Sequence, residues 1–280
     1  MLRKLSPAKI NLHLRVLGKR EDGYHDIATL MNQISFFDEM VFCPADKGIT
    51  IRCPGSSVPE NENNIVYKAA AALLSRTSCA SGIHITIHKR IPVAAGLGGG
   101  SSNAATALTT INDLMELHYT RENLMRIGAN IGADVPFFIL GKPAWAYGIG
   151  DDLHAVDTIP LLWFVLINPG FEVSTKMIYD KFNLRLTKPA VRYKCPALHT
   201  IEGLIKVLHN DLEEVTLGLH PELQHIKNHL TRNGALGALM SGSGPTVAGI
   251  FTDEENARKA QVAIENIKEK EWSVYVAHSL

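Results

Sequence analysis

Eleven residues from Pro92 to Ser102, Pro-Val-Ala-Ala-Gly-Leu-Gly-Gly-Gly-Ser-Ser, carry four glycines and two hydroxyls directly before a helical pattern. Backbone without Cβ atoms can approach an anion closely and take positive φ. The start of a helix adds unpaired N–H groups and the positive end of its dipole. The chemistry this favours is phosphate binding. Ser101 and Ser102 are candidates for hydroxyl donors, helix caps or magnesium ligands. The plainer alternative is a flexible strand-to-helix turn. A P-loop would need Gly-Lys-Ser/Thr at its end, and no Lys follows Gly100. The dinucleotide pattern G-x-G-x-x-G fails because Ser101 stands five positions after Gly96. The H-R-D and D-F-G signatures of protein kinases are absent.

The elements that must hold this loop are legible in the periodicity. Ala8, Ile10, Leu12, Leu14 and Val16 alternate with Lys9, Asn11, His13 and Arg15, which predicts a half-buried strand over 8–16. Further strands are expected over 27–42, with a break near Phe36, and over 49–52. A helix starts at Asn64, and a strand with Ile83, Ile85 and Ile87 runs up to Lys89, just before the loop. Ala104, Ala107, Leu108 and Ile111 continue the loop as an amphipathic helix, and Thr120 caps another. Strand and turn follow over 143–150, and Asp151, Asp152 and Pro160 mark the softest stretch. Beyond it come a strand over 161–167, a short helix capped by Ser174, and helices over 201–217 and 221–232. A strand ends at Met240, and Ser241-Gly-Ser-Gly-Pro245 leads to a strand over 246–251. A helix capped by Asp253 runs to Lys270, and a strand over 272–277 follows. Strands and helices intersperse without strict alternation, which predicts an α+β protein of two packed units. The expected domains are 1–155 and 156–280.

Composition narrows the function. The 280 residues include 28 Lys+Arg and 28 Asp+Glu, so the formal net charge is +0 and general nucleic-acid binding is disfavoured. The longest apolar run, Leu161 to Ile167, is far short of the ~20 residues of a membrane helix. No signal-peptide core follows Met1. Cys43, Cys53, Cys79 and Cys195 form no C-x-x-C pair, so four free thiols and the reducing cytoplasm are expected. His225 and His229 have the i,i+4 spacing of a metal pair, but without a third ligand they read as a solvated helix face.

Three stretches in order resemble the motifs of the GHMP kinases. They are Pro7-Ala-Lys-Ile-Asn11-Leu, the glycine loop through Ser102, and Leu239-Met-Ser-Gly-Ser-Gly-Pro-Thr246. Asp22-Gly-Tyr-His25, Ile131-Gly-Ala-Asp134-Val-Pro-Phe-Phe and His209-Asn-Asp-Leu212 are similar to the branch that phosphorylates a cytidylyl-linked sugar alcohol in a non-mevalonate route to isoprenoid precursors. One departure is visible: Ala94 and Ala95 stand where relatives often carry glycines. The resemblance implies the two-domain GHMP kinase fold, with a ribosomal protein S5 domain 2-like N-terminal domain and a ferredoxin-like C-terminal domain. It implies ATP as phosphoryl donor with Mg2+, transfer to a substrate hydroxyl, and no metal site built by the protein alone.

It also implies roles. Asp134 would accept the hydroxyl proton, although Asp before Val-Pro is also a good helix cap. Lys9 would orient Asp134, lower the pKa of the hydroxyl and offset phosphoryl charge; otherwise it is an ordinary solvated lysine. Asn11, two residues on and on the same face, would bond the hydroxyl or Lys9. Tyr24 would stack on the cytosine, His25 would meet its edge, and Tyr179 or Phe182 would be the second face. ATP would lie on Asn64, Lys89, Pro92, Val93, Ala94, Ala95, Gly96, Leu97, Gly98, Gly99, Gly100, Ser101 and Ser102. For Asn64 the alternative is a helix cap, and for Lys89 a strand-end charge. Ser241 to Gly244 would close over the substrate diphosphate, or simply connect two strands. Competing readings are a kinase for another alcohol, a catalytically silent sensor and an RNA-binding module. The expected partner is a small molecule, without nucleic acid or membrane, and the expected state is a monomer or weak homodimer.

Overall fold

A computed structural model describes residues 1–76, 82–157, 159–182 and 198–280. The chain opens with β1 (Leu2–Lys19), β2 (His25–Ala45), β3 (Ile49–Arg52), α1 (Ile65–Leu74) and β4 (Gly82–His88). Then come α2 (Gly99–Leu114), α3 (Arg121–Ala129), α4 (Val135–Leu140), β5 (Ala144–Tyr147) and β6 (Asp152–Ala155). The remainder holds β7 (Trp163–Asn168), α5 (Thr175–Lys181), α6 (Ile201–Ile205), β8 (His209–Asn210) and α7 (Asp211–Leu219). It ends with α8 (Glu222–Arg232), β9 (Gly237–Met240), β10 (Val247–Phe251), α9 (Glu254–Glu265) and β11 (Ser273–His278). Two compact units result. The first comprises 1–8, 36–93 and 98–141, and the second 9–35, 94–97 and 142–280. The expected boundary after residue 155 falls inside the second unit.

In the first unit, β4 pairs antiparallel with Glu39–Ala45 of β2 and parallel with β3. The apolar members of these strands, Met40, Phe42, Ile51, Ile83, Ile85 and Ile87, are buried. α1 packs on α2, and α4 packs on α2 and α3. Asn64 caps α1 by accepting from Val66 N, and Thr120 caps α3 by accepting from Asn123 N.

In the second unit, an antiparallel sheet has the order β11-β7-β10-β9. Helices α8 and α9 pack on it. The succession β7, helices, β9, β10, α9, β11 is the split βαβ arrangement of ferredoxin-like folds, as expected. Val165, Ile167, Ile226, Leu230, Phe251 and Ile264 form its core together with Leu14, Val16 and Ile27. β5 pairs with β2 at Thr29–Met31 and with β6, and β8 pairs parallel with β1 at His13 and Leu14.

Several expectations need correction. β1 extends well beyond 8–16, and its polar face is not solvated: Lys9, Asn11 and His13 are 5%, 3% and 1% exposed. β2 passes Phe36 unbroken, since Phe36 itself is buried. The single helix expected over 201–217 is α6, a strand residue pair and α7. Asn210 takes extended backbone, pairs with β1, and caps a fresh helix by accepting from Leu212 N. The soft stretch at Asp152 is strand β6. α9 stops at Glu265, short of Lys270. Cys43 is half-buried and Cys53 buried, both free thiols; Cys79 and Cys195 lie outside the described residues.

Candidate active site

The buried polar face of β1 is the organising feature of the second unit. Lys9 Nζ donates to Asn11 Oδ1, and Asn11 Nδ2 donates to Thr29 Oγ1 at 2.8 Å. Thr29 Oγ1 in turn donates to the His13 carbonyl at 2.6 Å. A buried ammonium is costly unless hydrogen-bonded, so this chain fixes the Lys9 side chain in one geometry. His13 donates from Nδ1 to the Val207 carbonyl at 2.5 Å, and burial, then the charges of His209 and Arg15, hold its pKa below the usual value.

The residues 241–245 close over this face. Asn11 N donates to Ser241 Oγ at 3.4 Å, and Ser241 Oγ donates to the Gly96 carbonyl at 2.9 Å. Lys9 N bonds the Leu97 carbonyl at 2.9 Å. A Cβ on Gly96 would stand 2.0 Å from the Ser241 carbonyl oxygen, and Gly96 has φ +76°. Only glycine fits there on both counts. The segment Ser241–Gly244, which the sequence left as either a cover or a connector, therefore packs on Lys9, Asn11 and the entry of the glycine loop.

That loop continues into the first unit, where α2 begins at Gly99 with Gly98 at φ +69° as its cap residue. The helix thus starts inside the glycine run; Ser102 N makes its first internal bond, to the Gly98 carbonyl at 2.9 Å, so the N–H groups without an intrahelical partner belong to Gly98, Gly99, Gly100 and Ser101. No acidic residue occupies that turn. The arrangement suits an anion. Ser102 is fully buried, with its hydroxyl 2.9 Å from Ser6 Oγ, while Ser101 is half-buried. Pro92 and Ala95 border the loop entry, and Val93 and Ala94 are exposed.

Ala94 has φ +50°, a left-handed conformation rare for a residue with a Cβ. Left-handed backbone costs an L-residue ~1–2 kcal/mol, and glycine's extra unfolded-chain freedom takes back ~0.5–1 kcal/mol. Ala94→Gly should therefore raise the thermal unfolding midpoint by ~1–3 °C. A midpoint lowered in calorimetry would contradict the left-handed backbone at this residue.

Two of the expected ATP contacts are engaged by the protein. Asn64 is buried; its Oδ1 caps α1 and its Nδ2 donates to the Pro59 carbonyl at 2.6 Å. The geometry supports the cap. Lys89 pairs with Asp38, a fully buried carboxylate, and donates to Asn103 Oδ1 at 3.1 Å. Asp38 also accepts from Arg90 N at 2.7 Å, Ile91 N at 2.9 Å and Asn103 Nδ2 at 3.0 Å. Sequence reasoning missed Asp38; its place between Phe36 and Met40 on one face of the strand was the available signal.

The aromatic group lies in the second unit. Gly23 turns the chain at φ +87°, and Tyr24 follows with 62% exposure. His25 is buried, with its ring centroid 5.1 Å from that of Tyr179 at 32°. Burial, then the nearby Lys19 charge, lowers the His25 pKa and so favours the neutral imidazole. Tyr179 and Phe182 both pack against the hydrophobic core. The His25–Tyr179 ring pair, with the exposed Tyr24 next to His25 in sequence, offers aromatic surface for a planar base.

Asp134, in the first unit, is half-buried and precedes α4 with helical backbone angles. Its side chain makes no cap hydrogen bond, so the capping alternative is not what the carboxylate does. His229 meets Trp272 edge-on, and among the described residues no cluster of three His, Cys, Asp or Glu is arranged for a metal.

Comparison with known proteins bears on this geometry. The model of the GHMP kinases N-terminal domain matches residues 64–142, and that of the GHMP kinases C-terminal domain matches 190–269. The chain belongs to the GHMP kinase family. It is 56% identical over 280 residues to a 4-diphosphocytidyl-2-C-methyl-D-erythritol kinase of Syntrophus aciditrophicus, covering 100% of both chains. It is 48% identical to the protein of that name from Syntrophotalea carbinolica, covering 91% of each. The crystal structure of a 4-(cytidine 5'-diphospho)-2C-methyl-D-erythritol kinase matches with a TM-score of 0.85 at 32% identity over 99% of both chains. A homoserine kinase from Cytophaga hutchinsonii shares the GHMP kinase fold, with a TM-score of 0.75 at 20% identity over 100% of this chain and 94% of that one.

Proposed function

We propose that this chain transfers the γ-phosphoryl group of ATP to the 2-hydroxyl of 4-diphosphocytidyl-2-C-methyl-D-erythritol, releasing ADP, in the non-mevalonate supply of isoprenoid precursors. The observation that carries the substrate is the His25–Tyr179 ring pair, with the exposed Tyr24 next to His25 in sequence, in a chain with full-length likeness to kinases of that name.

Phosphoryl transfer depends on in-line positioning and charge neutralisation more than on covalent chemistry. In this reading Asp134 takes the hydroxyl proton as the oxygen attacks phosphorus and the bond to ADP breaks. Lys9 lowers the hydroxyl pKa and offsets charge on the moving group, while Asn11 accepts from Lys9 and orients it. The N–H groups of the loop and first turn of α2 bind phosphate oxygens. Asn64 and Lys89 serve ATP from behind, by holding α1 and the loop entry. Mg2+ would neutralise phosphate charge. It commonly keeps several waters and takes one or two protein oxygens. The Ser101 hydroxyl suits that, whereas Ser102 is bonded to Ser6. Residues 1–155 would bind ATP and 156–280 would face the substrate. The working form would be a cytoplasmic monomer or weak homodimer acting on small molecules, without nucleic acid or membrane. No described helix is long and apolar enough to cross a membrane.

The test is ADP release from Mg-ATP with a panel of alcohols: the cytidylyl substrate, its phosphate precursor, mevalonate, homoserine and galactose. Turnover confined to the cytidylyl compound is expected; turnover of another alcohol would discard the substrate. Tyr24→Ala should weaken cytidylyl-substrate binding by ~1–3 kcal/mol, the worth of one stacked base. Calorimetric titration checks it, and unchanged affinity would remove Tyr24 from the base site.

A further inference from the structure

The motif His209-Asn-Asp-Leu212 has no role in the chemistry above, yet its side chains converge on the second unit's site. Asn210 is 6% exposed. Its Nδ2 donates both its protons to backbone, to the Met240 carbonyl at 2.8 Å and to the Gly242 carbonyl at 2.7 Å. Its Oδ1 accepts from Leu212 N at 3.0 Å. Its backbone pairs with Leu14 of β1, the strand that carries Lys9 and Asn11. Gly242, the residue it grips, is close to both: a Cβ there would lie 3.3 Å from Asn11 Oδ1 and 3.5 Å from Lys9 Nζ. Next to it, Asp211 Oδ1 bonds His209 Nε2 at 2.6 Å and its Oδ2 accepts from Val16 N at 2.8 Å, a second tie to β1.

An asparagine that only capped α7 would need one acceptor. This one uses its whole amide, and the donor half is directed at the segment lying over the Lys9–Asn11 pair. Ser243 is held by other groups: its Oγ lies 2.8 Å from Thr175 Oγ1, and its carbonyl accepts from Thr216 Oγ1 at 3.4 Å. In the Met240–Gly242 stretch, Met240 N donates to Glu213 Oε1 at 2.9 Å and Ser241 N to the Thr246 carbonyl at 2.9 Å, and the Met240 and Gly242 carbonyls both take the Asn210 amide.

We propose that Asn210 is a positioning residue for phosphoryl transfer. Its amide fixes the Met240–Gly242 backbone against Lys9 and Asn11 and so keeps that pair in register with β1. The inference rests on the kinase reading above. It goes beyond it in giving the His-Asn-Asp motif a function.

Two variants separate the donor from the cap. Asn210→Ser keeps an N-cap acceptor, since serine caps helices well, but cannot span the two carbonyls. Asn210→Asp keeps size and cap and loses both donors unless protonated. Both are assayed well below their unfolding midpoints. For Asn210→Ser, kcat should fall ~10–10²-fold with both KM values within about threefold, the pattern of a misplaced reacting group. For Asn210→Asp, kcat relative to the parent should rise as pH falls, because a protonated carboxyl restores one donor to the carbonyls. Amide hydrogen exchange over 241–244, read without substrate, should quicken at least ~10-fold in Asn210→Ser. A kcat within twofold of the parent in the folded Ser variant would overturn the proposal. Unchanged exchange over 241–244 would overturn it too. Failure of the parent to turn over the cytidylyl substrate would instead strike the substrate assignment, and the exchange result would still decide what Asn210 holds.

Discussion

Asp134→Asn should lower turnover by ~10²–10⁴-fold while leaving ATP affinity nearly unchanged. The amide keeps the size of the carboxylate and one acceptor oxygen, but it cannot take a proton from the substrate hydroxyl. The usual confusion in such a test is loss of a helix cap, worth ~1 kcal/mol or more. Here the Asp134 side chain makes no cap bond, and the Asp134 carbonyl, which accepts from Phe138 N at 3.4 Å, is untouched by the change. Steady-state ADP release and ATP titration check the two halves. Near-normal turnover would return Asp134 to the role of a helix start.

The site was legible where its residues had unusual types in a regular pattern. Lys9 and Asn11 could be paired from spacing alone, because residues two apart on a strand share a face. Their burial could not be read, since it comes from Ser241 and Gly242, more than two hundred positions away. Periodicity assigned that face to solvent, and a polar face that turns out buried is the signature of a site. The split between α6 and α7 was hidden for a related reason. Apolar residues continue at helical spacing through 201–217, and only the pairing of His209 and Asn210 with β1 overrides them. The ferredoxin-like half was readable as elements, because each strand and helix there has its own cap or turn signal. Asn64 gave two signals at once, and the structure supports the cap. The fully buried Asp38 gave only its place on an apolar strand face, which names no partner, because its partners lie more than fifty positions on in the chain.

Asp38→Ala should destabilise the protein by ~3–5 kcal/mol, the cost of leaving a buried charge without its partner. Four donors converge on this carboxylate: Lys89 Nζ, Arg90 N, Ile91 N and Asn103 Nδ2. The Lys89 ammonium also lies under the start of α2, 3.2 Å from where a Cβ on Gly99 would stand. A cation at a helix N-terminus is unfavourable by itself, so Asp38 is what lets Lys89 stay there. Asp38→Asn should also destabilise, because its amide N–H groups would face donors. The decisive comparison is the double variant Asp38→Ala with Lys89→Met, which removes both charges and keeps apolar bulk. If the orphaned ammonium dominates, the double variant recovers at least half of the loss in denaturant unfolding. Its ATP KM should nonetheless stay raised, because Arg90 N and Ile91 N still lack the acceptor that holds the loop entry. If the double variant were no more stable than Asp38→Ala, the backbone bonds of Arg90 and Ile91 would be what Asp38 secures. An ATP KM equal to the parent's would uncouple this network from the nucleotide.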